Sequence, residues 1–169
     1  MKKFLLPVAL TLTLGGLAYA ATSSKATPAP VLNIAQTVVK MPLEKGVSMD
    51  DAAEAMKIRA NKLNFKLVAE MPLSKQIEAM GEKSRRMEIY QFCDALTAKK
   101  MVEYDIHFSA YLPCRIALVE DAKGQGWLLM MNLDMFIQGA KLSAPLQGEA
   151  TKVRDALTEI MQAGVKGEW

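Results

Sequence analysis

Histidine occurs once in the 169 residues, as His107, and cysteine twice, as Cys93 and Cys114. A single imidazole excludes a blue-copper centre, which needs two, and no Cys-x-x-Cys-His run is present to attach a c-type haem. Cys-x-x-Cys is absent as well, so a thioredoxin-type exchange site has no support. Gly-x-Ser-x-Gly, a P-loop, a dinucleotide-binding glycine fingerprint and His-Glu-x-x-His are all missing, which removes the common hydrolase, nucleotide-binding and zinc-protease signatures. Neither sign of charge is in large excess. Lys and Arg number 21 against 18 Asp and Glu, a net +3 to which Lys2 and Lys3 contribute two, and that is no footprint for nucleic acid. What is present, 51% hydrophobic and 23% charged residues in a domain-sized chain, is the composition of a globular protein.

The first 20 residues read as a secretory signal peptide. Lys2 and Lys3 form a positive n-region, Phe4 to Leu17 an apolar h-region, and Ala18-Tyr19-Ala20 the small-x-small cleavage pattern. The apolar run is shorter than the roughly 20 residues a spanning helix needs, so no membrane span is expected after cleavage, and the location is periplasmic or secreted. No Cys follows the cleavage site to carry a lipid, and no twin-arginine pair is present. Residues 21–33 are small, polar and Pro-bearing and read as a flexible tether; a single domain is expected over 34–169.

Within that domain, Ile34 to Met41, closed by Pro42, reads as a first strand. Ser48-Met49-Asp50-Asp51 matches a capping box, followed by apolar positions Ala52, Met56, Ala60 and Leu63 on one helical face and a stop at Asn64. Phe65 to Met71 predicts a second strand, and Ser74 the cap of a short helix anchored by Ile77 and Met80. Met87 to Cys93 predicts a third strand that delivers Cys93 at its end. Asp94 caps a helix over Ala95 to Tyr104, with Leu96 and Met101 on its stripe. Tyr111 to Asp121 and Trp127 to Asn132 predict a hairpin of central strands, and Val153, Ala156, Leu157, Ile160 and Met161 a last helix capped by Gly164. Five strands and apolar-faced helices make a two-layer α+β sandwich.

The charged pairs read as structure rather than chemistry. Asp50-Asp51 suits a helix cap, Glu120-Asp121 a turn entrance, and Lys99-Lys100 and Arg85-Arg86 solvated faces. The two cysteines admit two readings. In an exported chain an even count suggests a disulfide, which would close a loop of about 20 residues and stabilise by about 3 kcal/mol. Alternatively, Cys93 at the end of one strand and Cys114 at the start of the next face one pocket, with Arg115 either lowering the pKa of the neighbouring thiol through its guanidinium or standing as a surface residue on the strand. The 12 methionines allow a softer metal site, Cu(I) held by Cys93, Cys114 and a Met, although adaptable core filling accounts for them without a metal. No cofactor is otherwise predicted, and His107 reads as a loop residue.

Tyr90-Gln91-Phe92-Cys93, the intervening helix, Leu112-Pro113-Cys114-Arg115-Ile116-Ala117, Glu120-Asp121, Gly126 and the run from Trp127 to Asp134 together resemble the family called domain of unknown function 302, over roughly residues 34–164. The resemblance implies a compact α+β domain and no established reaction. Exported members associated with sulfur oxidation imply a lean toward sulfur chemistry. Asp94-Ala95 stands where the family commonly has Asn-Pro, so the carry-over is limited to Cys93, Leu112, Pro113 and Cys114. The expectation is a module that binds a small ligand, redox equivalent or sulfur species through Cys93, Cys114, Leu112, Pro113 and Arg115. The alternative is a structural or partner-binding exported domain with an inert disulfide, its partner another exported protein. A thiol-dependent enzyme is a third possibility.

Overall fold

The computed structural model describes residues 33–168. The export segment expected over 1–20 and the tether over 21–33, its last residue Asn33 apart, lie outside the described residues. The Asn33 side chain accepts the amide of Ala35 and starts a 3-10 turn, Ile34–Thr37, ahead of the first strand, β1, Val38–Pro42. The strand expected from Ile34 therefore begins four residues later, because a short polar side chain that takes backbone amides favours a turn over extension.

Helix α1, Met49–Lys62, starts as the sequence predicts. Ser48 Oγ accepts the Asp51 amide at 3.0 Å and the Asp51 carboxylate accepts the Ser48 amide at 3.3 Å. Asn64, at φ 60, turns the chain out of the helix in the left-handed region that Asn tolerates. Strand β2 spans Lys66–Met71 and helix α2 Leu73–Ala79. Ser74 does not cap α2. It lies buried inside the first turn, while the Pro72 carbonyl accepts the amides of Lys75 and Gln76. Nor does Met80 anchor the helix, being 83% exposed.

Strand β3, Met87–Cys93, alternates half-buried and buried positions along its length. Helix α3, Ala95–Tyr104, is capped by Asp94, but its inward residue is Thr97, and Leu96 points to solvent. A second 3-10 stretch, Ile106–Tyr111, returns the chain to β4, Cys114–Glu120, so Tyr111 precedes the strand it was expected to open. Strand β5, Gly126–Met131, pairs with β4 as the expected hairpin. Its turn is tied by the Asp121 carboxylate, which accepts the Lys123 and Gln125 amides and the Trp127 indole N–H. Helix α4, Leu133–Gly139, was not expected; the Asn132 side chain starts it by accepting the Asp134 amide. The last helix, α5, Ala144–Lys166, runs past Gly164 to a left-handed Gly167.

The five strands form one antiparallel sheet in the order β1-β5-β4-β3-β2. Its core face, Tyr90, Phe92, Ile116, Leu118, Leu128 and Met130, packs against Met56 of α1 and Leu157, Ile160 and Met161 of α5. Each such side chain removed from water stabilises the fold by about 1.5–3 kcal/mol. Gly164 marks a close approach between these layers. A Cβ there would lie 2.7 Å from Met56 Cγ and 2.8 Å from Leu128 Cδ1, so its role is close packing and not the cap. The architecture is a two-layer α+β domain with the ends of β3, β4 and β5 gathered at one edge of the core.

Candidate functional site

Cys93 is the last residue of β3 and Cys114 the first of β4, and the two strands are neighbours in the sheet. The register sets Phe92, not Cys93, opposite Cys114; Cys93 faces Lys66 of β2. The two cysteines are therefore offset by one position, and strand alternation starts their side chains from opposite sides of the pleat. Both are free thiols. The connection between them is α3, the 3-10 stretch and a cis Leu112–Pro113 bond.

Despite the offset, both cysteines line one recess, of about 110 Å³, where the sheet ends. Thr97, Ala98 and Met101 of α3 form one wall. Phe108, Tyr111 and Leu112 supply a second, and Leu133 and Phe136 from around α4 a third; Phe65, Met131, Ala150 and Val153 complete the lining. Tyr111 and Phe136 stand with ring centroids 5.1 Å apart at 59°, a tilted aromatic pair on the rim. Among the described residues the only charged one in the lining is Asp94, and its oxygens are committed. Oδ1 accepts the amides of Leu96 and Thr97, and Oδ2 accepts the Thr97 hydroxyl at 2.6 Å. These bonds, the Thr97 hydroxyl foremost, hold the Asp94 carboxyl below its ordinary range despite its burial.

Such a recess favours neutral thiols. Burial, reinforced by the proximity of Cys93, pushes Cys114 up to about 11. Burial and the neighbouring Asp94 charge raise Cys93 too. The expected activation of Cys114 by Arg115 does not occur, because adjacent strand residues point to opposite faces: Arg115 is exposed and Cys114 turns toward the core. Of the five residues singled out from sequence, Cys93, Cys114 and Leu112 line the recess; Pro113 and Arg115 do not. His107 is exposed in the 3-10 stretch, its Nδ1 2.6 Å from Asp105. Among the described residues no group of three or more His, Cys, Asp and Glu side chains stands close enough to hold a metal.

Sequence reasoning missed the aromatic wall and both recess methionines, Met101 and Met131. Phe65, Phe108, Tyr111 and Phe136 are scattered through turns and short helices with no shared period; the one local hint was an aromatic every few residues between the two cysteines. It also misread Arg86 as a solvated residue. The Arg86 guanidinium grips the buried Glu88 carboxylate through Nε and Nη2, both at 3.0 Å, and reaches Asp50 Oδ1 at 2.5 Å. The Tyr90 hydroxyl donates to the same carboxylate at 2.6 Å. Burial alone would raise the Glu88 pKa, but the Arg86 and Tyr90 bonds outweigh it and hold the carboxylate below its ordinary value. Every oxygen of Glu88 is thus satisfied, and the cluster ties α1 to β3.

The family model described as "Domain of unknown function DUF302" matches residues 39–164. No curated protein matches the chain in sequence. Among solved structures, the "Crystal structure of uncharacterized conserved protein DUF302 from Bacillus stearothermophilus" superposes with a TM-score of 0.64 at 15% identity, over 75% of this chain and 97% of that one. At that identity the likeness is one of fold.

Proposed function

The chain belongs to the DUF302 family, a domain of unknown function, and from that premise we propose that it is an exported binding module whose recess at the sheet end takes a small, soft or apolar ligand against Cys93 and Cys114. The observation that carries this reading is the meeting of both thiols in a recess whose one carboxylate is already used as a helix cap. A charged ligand that the sulfur atoms do not bond would lose its hydration there without a partner, at several kcal/mol. A compact uncharged one gains by leaving water, and apolar cavities of about 150 Å³ take up benzene. Neutral sulfur species meet the same description, with the thiols as soft contacts. The alternative, a partner-binding domain held by an inert bridge, has less support because the thiols are free and offset in register.

The test is ligand-induced stabilisation of the full, reduced chain by indole and by dimethyl sulfide, with Ala98→Phe to fill the recess. Ligand present at ten times its dissociation constant should stabilise the wild type by about 1.4 kcal/mol. The filled variant should fold and show no such gain. Equal stabilisation of both proteins, or of neither, would reject the recess as the binding site.

A further inference from the structure

The recess gathers more sulfur than the cysteine pair. Cys93 ends β3, Cys114 begins β4 and Met131 ends β5, and because these three strands are antiparallel neighbours the three residues sit at the same end of the sheet. Met131 lies one register step from Cys114, since Met130 pairs with Ile116. Helix α3 adds Met101 to the same lining. On the binding reading above, and deepening it, we infer that this recess is a site for a soft monovalent metal ion, Cu(I), drawn from the sulfur atoms of Cys93, Cys114, Met101 and Met131.

The choice of metal follows from the donors. Thiolate and thioether sulfur select Cu(I), whereas zinc in structural sites takes thiolates, imidazoles and carboxylates and has no use for thioethers. The single imidazole, at His107, is outside the recess and 89% exposed, and the oxygens of Asp94 and the hydroxyl of Thr97 are bound to one another and to the first turn of α3. The carboxylate of the recess is thus committed, and no imidazole reaches it. One Cu(I) on a single thiolate, with the second cysteine bound as its thiol, leaves the recess without net charge. Binding involves no change of oxidation state. Each copper–thiolate bond forms with loss of one proton to solvent, and the thioethers bind as they stand.

The experiment is anaerobic titration of the full, reduced chain with Cu(I) in competition with a chromogenic Cu(I) chelator, alongside indole binding to the same protein. One Cu(I) per chain is expected, with a copper K-edge spectrum fitted by sulfur neighbours alone. The double variant Met101→Leu, Met131→Leu, checked for folding by circular dichroism, should bind Cu(I) more weakly by at least about tenfold, the lower end of what even an outer-sphere partner contributes. Unchanged affinity in that variant, or nitrogen or oxygen neighbours in the spectrum, would overturn the four-sulfur site. Indole binding without Cu(I) binding would overturn the metal inference alone. Failure of both ligands would overturn the binding reading with it.

Discussion

At the scale of single residues, two buried acids behave oppositely because of what surrounds them. The Cys114 thiol is pushed up from 9.0 to about 11 by burial and the nearby Cys93. At pH 7 to 8 its thiolate fraction is then about a hundredfold below that of an ordinary thiol. Alkylation of Cys114 by iodoacetamide, followed by peptide mass mapping, should be correspondingly slow and should keep accelerating until the pH approaches 11. A rate that levels off near pH 9 would show an unperturbed thiol. Glu88 is buried but is held ionised by Arg86 and Tyr90. Its folded pKa is lowered from 4.5, so its contribution to stability is complete above that value and is lost as the pH falls through the depressed folded value. Glu88→Gln should cost about 2–3 kcal/mol at pH 7, the worth of hydrogen bonds to a charged group, and should flatten the acid limb of a urea-denaturation series below pH 4.5. A variant as stable as the wild type at neutral pH would show that the Arg86 cluster contributes nothing net.

At the scale of elements, what could be read from the chain was whatever carried its own local signal. The Ser48–Asp51 capping box and the α5 stripe from Val153 to Met161 are complete within a few residues, and both helices are found where the pattern sets them. Helix α4 has no such signal. Seven residues long and burying none of them fully, it depends on the Asn132 cap and on packing against the rest of the molecule. Ser74 misled for the opposite reason: a good cap residue was placed at the second position of a helix, where tertiary burial decided its position. Gly164 was misassigned in the same way, since a glycine near a helix end suggests a cap, while the true cap, Gly167, lies three residues on. The layer contact makes Gly164 testable. Gly164→Ala should gain up to about 1 kcal/mol of helix propensity and lose more to overpacking, since the added methyl would stand 3.2 Å from the Ala52 carbonyl oxygen as well as against Met56 and Leu128. A net destabilisation of about 1–2 kcal/mol in chemical denaturation is expected. A stabilised variant would mean that α1 and α5 separate without cost.

At the scale of the whole molecule, the site owes its existence to how unlike parts share one sheet. The strands and the long helices α1 and α5 bury the continuous core, while α3, the Ile106–Tyr111 stretch and α4 are short, each burying one residue fully or none. The positions of Cys93 and Cys114 were legible because strand periodicity puts them at strand ends. The recess between them was not, because a cavity is what three short segments leave unfilled around the sheet end, and no residue's own pattern records it. Segments with few buried side chains open at a smaller free-energy cost than the core. Native-state hydrogen exchange should therefore find the amides of β3, β4, β5, α1 and α5 exchanging slowest and those of residues 95–111 and 133–139 distinctly faster. A ligand bound in the recess would touch all three walls at once, through Met101, Phe108 or Tyr111, and Phe136. Saturation with indole or Cu(I) should consequently slow exchange in both of those segments together and leave β1 and α2 unchanged. Slowing confined to one segment would mean that the ligand sits on a single wall, outside the recess, and that the thiol-lined end of the sheet is not where this molecule binds.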